Sequence, residues 1–314
     1  MTALSRRDFL SRTGIMAASA TGFWSLPLLG QAAESSGKPS RLPVVLFTKV
    51  CQELNLGFED IASLTAEAGL DGVDSPVRPK GEVLPEKVAD DLPRYAEVLK
   101  KKGLGIPLIT TAILGPDSPH AEKVLRTARK VGVRFYRTGF IDRRDDQPVE
   151  AQIAEARAKL KDLAAMNREI GIGAIVQNHS PAGHAYLGGD LNELEQILAD
   201  FDPGRIGAAF DIGHAIKVHG DKWRERFDKL KPQLKIAYIK DTNRAGQWVQ
   251  FGQGEIGKVG YFKLLREIGY GSPLSMHIEF DWSSKGANRN RAALLRALKE
   301  SLGVLRGWLN GQES

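Results

Sequence analysis

Past residue 42 the chain alternates between short apolar or β-branched runs and longer stretches with apolar residues at helical spacing. The short runs are Pro43–Phe47, Gly72–Asp74, Ile106–Thr110, Phe135–Thr138, Ile172–Asn178, Ile206–Asp211, Ile236–Asp241 and Ser275–Phe280. Between and after them lie Phe58–Ala68, Pro85–Lys101, Ala121–Val131, Val149–Ile170, Leu191–Leu198, Lys222–Leu230, Tyr261–Ile268 and Arg291–Leu309. In Val149–Ile170, for example, Ile153, Leu160, Leu163 and Ala164 fall on one helical face. Gly69, Gly103, Gly132, Gly171 and Gly269 each follow such a stretch, where a left-handed residue ends a helix cheaply. Strands that alternate with helices predict a parallel sheet. A count of eight favours closure, so residues 42–310 are expected to form a single (β/α)8 TIM barrel rather than a doubly wound open sheet.

The first 33 residues follow a different rule. A charged start, Ser5-Arg6-Arg7-Asp8-Phe9-Leu10, leads into a modest apolar run from Ile15 to Leu29 and a small-residue end at Gly30-Gln31-Ala32-Ala33. That order is the order of a secretory signal, and paired arginines before Phe-Leu resemble the bacterial twin-arginine signal. The run is short and carries Gly, Ser and Thr, whereas a spanning helix needs roughly 20 strongly apolar residues. Residues 1–33 are therefore expected to be a cleaved signal read by the twin-arginine export machinery, with 34–41 a polar linker, a periplasmic or secreted mature protein and no stable membrane span after cleavage.

Composition changes this picture little. Of 314 residues, 42% are hydrophobic and 26% charged, which fits a globular chain and excludes a disordered or multi-span one. One cysteine, Cys51, allows no internal disulfide and no Cys-rich zinc site. Without residues 1–32 the net charge falls from +6 to +4, with no basic block suited to nucleic acid.

In a barrel of this kind function sits at the C-terminal ends of the strands. Those ends are rich in polar groups: Asp74, Arg137, Gln177-Asn178-His179, Asp211-Ile212-Gly213-His214, Tyr238-Ile239-Lys240-Asp241 and His277-Ile278-Glu279. Alternation along a strand directs Gln177, Asp211, Tyr238 and Glu279 inward together. Trp248 and Trp282 fall in loops beyond the last strands, where a sugar ring could stack, while Trp223 fits helix packing equally well. Gly252-Gln253-Gly254-Glu255-Ile256-Gly257 matches Gly-x-Gly-x-x-Gly, but it does not directly follow a strand in an early strand-turn-helix unit, so dinucleotide binding is set aside.

These residues resemble the xylose isomerase-like barrel superfamily of sugar isomerases, ketose 3-epimerases and apurinic endonucleases. Its Glu-Asn-His, Asp-x-Gly-His, His-x-Lys-Asp and final Glu correspond to Gln177-Asn178-His179, Asp211-Ile212-Gly213-His214, Tyr238-Ile239-Lys240-Asp241 and Glu279. The resemblance implies a divalent metal (Mn, Mg, Co or Zn) held by residues at the positions of Gln177, Asp211, Tyr238 and Glu279, polarising a substrate carbonyl, with two carboxylates trading a proton. Two of those four positions depart: Gln177 replaces a Glu and Tyr238 a His. The ligand candidates are therefore Asp211, Glu279, His214 and Gln177. Catalytic candidates are Glu279, Lys240, Tyr238 and His179. Arg137, Gln177, Asp74, His214, Trp248 and Trp282 are expected to bind substrate, and Arg137 has the alternative of an ion pair with Asp74.

The resulting expectation is an exported isomerase or epimerase acting on a free or oxidised keto sugar by proton abstraction next to a carbonyl, with or without a metal. A β-eliminating lyase on keto-glycosides and a metal-free sugar-binding barrel that has lost catalysis are the alternatives. A DNA-repair nuclease is disfavoured by the export signal and the absence of a basic face. If Arg6 and Arg7 direct export, replacing both with lysine strands the protein in the cytoplasm; unchanged periplasmic recovery would remove the twin-arginine assignment.

Overall fold

The structure, a computed structural model, describes residues 41–283 and 289–313. The expected export signal lies outside them. No helix of the described residues is long and apolar enough to cross a membrane.

Eight parallel strands close into a barrel: β1 (Val44–Phe47), β2 (Gly72–Pro76), β3 (Gly105–Thr110), β4 (Phe135–Arg137), β5 (Gly173–Gln177), β6 (Ile206–Asp211), β7 (Leu234–Ile239) and, after a short hairpin of β8 (Asp241–Thr242) with β9 (Trp248–Val249), β10 (Leu274–Met276), which pairs with both β7 and β1. The helices that return the chain are α1 (Phe58–Ala68), α2 (Val88–Lys100), α3 (Ala121–Lys130), α4 (Val149–Ile170), α5 (Leu191–Leu198), α6 (Ile212–His219), α7 (Trp223–Leu230), α8 (Tyr261–Glu267) and α9 (Arg291–Leu309). This is the single (β/α)8 barrel that the alternating pattern predicts. The five glycines expected to end helices all have positive φ.

Two apolar layers result. A large one joins the outer strand faces to the helices. A small one fills the lumen with Leu108, Ile175, Ala209, Ile236 and Tyr238, with Phe135 packed against them. Such filling makes the barrel a packed core with a floor, so chemistry is confined to the upper rim.

Two departures from the sequence reading shape that rim. The last two strands end earlier than expected. β7 ends at Ile239, and Asp241 starts the β8–β9 hairpin, its carboxylate accepting the backbone N–H groups of Thr242, Gly252, Gly254 and Ile256 at 2.9–3.2 Å. The glycine-rich stretch is thus a loop folded around a carboxylate; a Cβ on Gly254 would lie 2.1 Å from Asp241 Oδ1. With β7 gone, β10 loses its partner after the His277 N–H to Ile239 bond of 2.9 Å, and Glu279 sits on a loop three residues past the last strand residue. The second departure is α6, which starts at the residue after β6 because Asp211 is at once the last strand residue and the helix N-cap, its carboxylate accepting from His214 N. Trp223 packs against Phe210, Phe227 and Tyr261 in the core.

Candidate active site at the barrel mouth

The inward register of β5, β6 and β7 brings Gln177, Asp211 and Lys240 together. Asp211 is fully buried and its two oxygens meet three donors: Oδ1 accepts from His214 N at 3.2 Å, and Oδ2 accepts from Gln177 Nε2 at 3.0 Å and pairs with Lys240 Nζ at 3.2 Å. Burial raises the Asp211 pKa, and Lys240 and the other donors pull it back. Asn178 fixes the backbone below this group: its Nδ2 donates to Asp211 O at 2.9 Å and its Oδ1 accepts from Asp211 N at 2.8 Å.

Two histidines lie beside it, their ring centroids 3.8 Å apart. His214 Nδ1 accepts from the backbone N–H of Ser180 at 3.1 Å and lies 2.8 Å from Ser180 Oγ. A backbone N–H can only donate, so Nδ1 is bare and the ring proton sits on Nε2, 3.8 Å from Asp211 Oδ2. His179 is arranged the other way. Its Nδ1 lies 2.7 Å from Ser180 O, which can only accept, so Nδ1 carries the proton and Nε2 is bare. Burial first, then Lys240, pushes the His179 pKa down to about 4, so the ring is neutral at physiological pH.

A second polar group lies lower in the lumen. Asp74 is fully buried and accepts from Thr110 Oγ1 and Ser275 Oγ, both at 2.9 Å. Burial lifts its pKa to about 6 against those bonds and the field of Arg137. Arg137 is also buried; it donates to Thr138 O at 2.7 Å and stands 4.3 Å from the Phe140 ring, and burial lowers its pKa to about 10. Among the described residues Arg137 and Asp74 form no direct ion pair, so the rim salt bridge considered from sequence is not the role of Arg137.

The remaining sequence candidates divide. Tyr238 is fully buried under His277, ring centroids 4.6 Å apart, and burial holds its hydroxyl well above the usual pKa. It is part of the floor and is not placed to exchange protons with a ligand at the mouth. Glu279 reaches the rim, where its carboxylate lies 3.2 Å from Lys49 Nζ. Trp248 closes one side: the His214 ring is 5.0 Å away, Lys217 Nζ 4.2 Å and Lys240 Nζ 5.0 Å. Trp282 is buried with Arg289 over its ring at 5.2 Å. Sequence reasoning missed Lys49, which follows β1, Ser180, which sets both histidine tautomers, and Arg78, whose charge interacts with Asp74, Tyr238, Glu279 and Glu82. Arg78 follows β2 by only two residues, so strand-end position alone was a signal for it.

The proposed ligand set of Asp211, Glu279, His214 and Gln177 does not fit a resident divalent ion. Asp211 already accepts three protein donors, one of them an ammonium. The His214 nitrogen that faces Asp211 carries a proton and has no lone pair to give. Glu279 is paired with Lys49. Among the described residues no three of His, Cys, Asp and Glu gather in a way that could hold a metal.

The buried acid Asp74 gives a pH signature. Its folded pKa lies above the unfolded value, so its contribution is fully present below about pH 4 and is lost as pH rises through about 6. Compared with Asp74→Asn, the wild type is expected to lose up to about 3 kcal/mol between about pH 4 and 7 in urea unfolding. A constant gap between the two proteins would show that Asp74 is ionised throughout.

No curated protein matches the chain. Among solved structures it is similar to D-psicose 3-epimerase with D-tagatose from Clostridium cellulolyticum (13% identity, TM-score 0.65, covering 86% of this chain and 99% of that one). It is also similar to 3-keto-D-glucoside 4-epimerase from E. coli (14%, 0.61, 84% and 98%). A third is a xylose isomerase-like TIM barrel protein from Mycobacterium smegmatis in complex with magnesium (16%, 0.57, 85% and 98%). These likenesses are of fold. The sequence model of one family matches residues 62–306, and on that match the chain belongs to the xylose isomerase-like TIM barrel family.

Proposed function

We propose that the protein is an exported enzyme that enolises a keto sugar without a divalent metal. The observation that carries this reading is Lys240: an ammonium only 4% exposed, fixed 3.2 Å from Asp211 at the mouth of the barrel. A placed cation of this kind stabilises an oxyanion as it forms and needs no reorganisation to do so. In the proposed step the electron pair of the C–H bond next to the carbonyl becomes a C=C bond, the carbonyl π pair moves to oxygen beside Lys240, and the proton passes to the Glu279 carboxylate. Return of that proton to the neighbouring carbon isomerises the sugar; epimerisation would need a second acid on the opposite face, where Gln177 has no ionisable group. His179, neutral and with Nε2 bare, is suited to move a proton between hydroxyl and carbonyl oxygens. Arg137 and Arg78 add positive field above the floor.

Two names among the similar structures support the substrate class, since inversion at C3 of a 2-ketose and at C4 of a 3-keto-glucoside both move a hydrogen next to a carbonyl. One feature favours the rival reading of a sugar-binding barrel without chemistry: the residue opposite Glu279 in the family pattern is Gln177, which cannot take a proton, and here it donates to Asp211.

The test is exchange of carbon-bound hydrogen with solvent deuterium over a panel of keto sugars in the presence of a chelator. Wild type is expected to exchange at least one of them. Glu279→Gln is expected to slow exchange by about 10²- to 10⁴-fold, and Lys240→Met by about 10²- to 10³-fold. If no sugar in the panel exchanges, or Glu279→Gln is fully active, the enolising reading fails. Loss of exchange on chelation, restored by a divalent ion, would overturn the metal-independent part.

A further inference from the structure

We infer that the mouth is built for a two-ring ligand, a glycoside whose keto sugar meets Lys240 while its second ring lies along an aromatic wall; this rests on the keto-sugar reading above. The wall is a continuous row of ring contacts. It starts at Trp248 on the β8–β9 hairpin, passes to His214 at 5.0 Å and His179 at 3.8 Å, and continues to Tyr186 at 5.2 Å and His184 at 4.7 Å. Phe140 lies 4.8 Å from both His179 and Tyr186. The row outruns a single pyranose ring. A sugar held at Lys240 covers its inner end, at Trp248, His214 and His179, and leaves Phe140, Tyr186 and His184 beyond it.

Trp248 is half-buried, and from His214 outward burial falls along the row. His214 is buried, His179, Phe140 and Tyr186 are half-buried, and the His184 side chain is 53% exposed. Half-buried rings of this kind expose a flat apolar face to whatever enters, and such faces give much of the contact energy of a ligand pocket. The outer part is also held in place. The loops after β4 and β5 are stapled by an antiparallel bridge between Asp142 and Tyr186, with Arg143 N donating to Ala185 O at 3.0 Å and Leu187 N to Ile141 O at 2.8 Å. Arg143 also pairs with Glu193 on α5 at 2.7 Å. Arg137 lies over the Phe140 ring and fixes it. At the outer end His184 Nε2 lies 2.8 Å from Asp142 Oδ1, which offers polar groups to the rim of a second ring. Loop packing alone would need neither the graded exposure nor continuity with the residues around Lys240.

Titration calorimetry on the mature protein with paired methyl and 4-nitrophenyl glycosides of several hexoses tests this. For at least one hexose the 4-nitrophenyl glycoside is expected to bind about tenfold or more tightly than the methyl glycoside. Tyr186→Leu, which keeps apolar bulk and removes the π face, and Phe140→Leu are each expected to shrink that ratio to below about threefold, while Tyr186→Phe preserves it. Equal binding of the two glycosides, no binding of either across the panel, or a ratio untouched in both leucine variants overturns the inference. If free keto sugars exchange deuterium while the two glycosides bind equally, the subsite alone fails. If the ratio holds while nothing exchanges, the enolising reading fails and the two-ring pocket stands.

Discussion

A carboxylate buried at the top of a barrel has to be compensated, and in this protein the compensation of Asp211 organises everything above the floor. An isolated carboxylate in such a place is costly, and pairing with bonded donors is what makes it tolerable. Three elements supply the donors: Gln177 from β5, the first turn of α6 through His214 N, and Lys240 from the end of β7. The same residue therefore caps a helix, ties three consecutive strands together at their C-terminal ends and fixes the buried ammonium of Lys240 at the mouth. Removing any partner leaves charge unmet, which is why these positions must be read as a unit.

That unit explains how a metal-dependent pattern can be rewritten. A glutamate at position 177 would put a second negative charge beside Asp211 and call for a cation. Glutamine instead donates a hydrogen bond, and Lys240 supplies the positive charge from the protein. The tautomer of His214 agrees with this, since Ser180 occupies the lone pair on Nδ1 and the remaining nitrogen is a donor facing the carboxylate. In the enolising reading proposed above, a fixed ammonium and flanking guanidinium groups take the place of Lewis-acid positioning, which suits a carbonyl oxygen that gains charge.

Much of the fold was legible because its signals are local. Apolar periodicity set α1, α4, α5 and α9 to the residue, and glycines marked helix ends through their backbone freedom. The strand-end rule pointed Gln177, Asp211, Tyr238 and Glu279 to one mouth, and the structure does bring Gln177 and Asp211 together, with Lys240 as their third partner. What was not legible depends on contacts between distant segments. The early end of β7 follows from four backbone groups closing on Asp241, and α6 was hidden because its cap is also a strand residue. Tyr238 has the right inward register but lies one layer too deep, a difference alternation cannot show. Lys49 meets Glu279, Arg78 faces Tyr238 and Glu279, and Ser180 meets His214, all partners far away in the chain.

The most direct test of the Asp211 account is the protonation of His214, read by ¹⁵N–¹H correlation of the histidine side chains in the mature protein near neutral pH. The account predicts a bare Nδ1 and a protonated Nε2 for His214, the reverse for His179, and no change in either on adding manganese or magnesium. A His214 ring protonated on Nδ1, with an Nε2 signal that shifts or broadens when a divalent ion is added, would contradict it and return the mouth to metal chemistry.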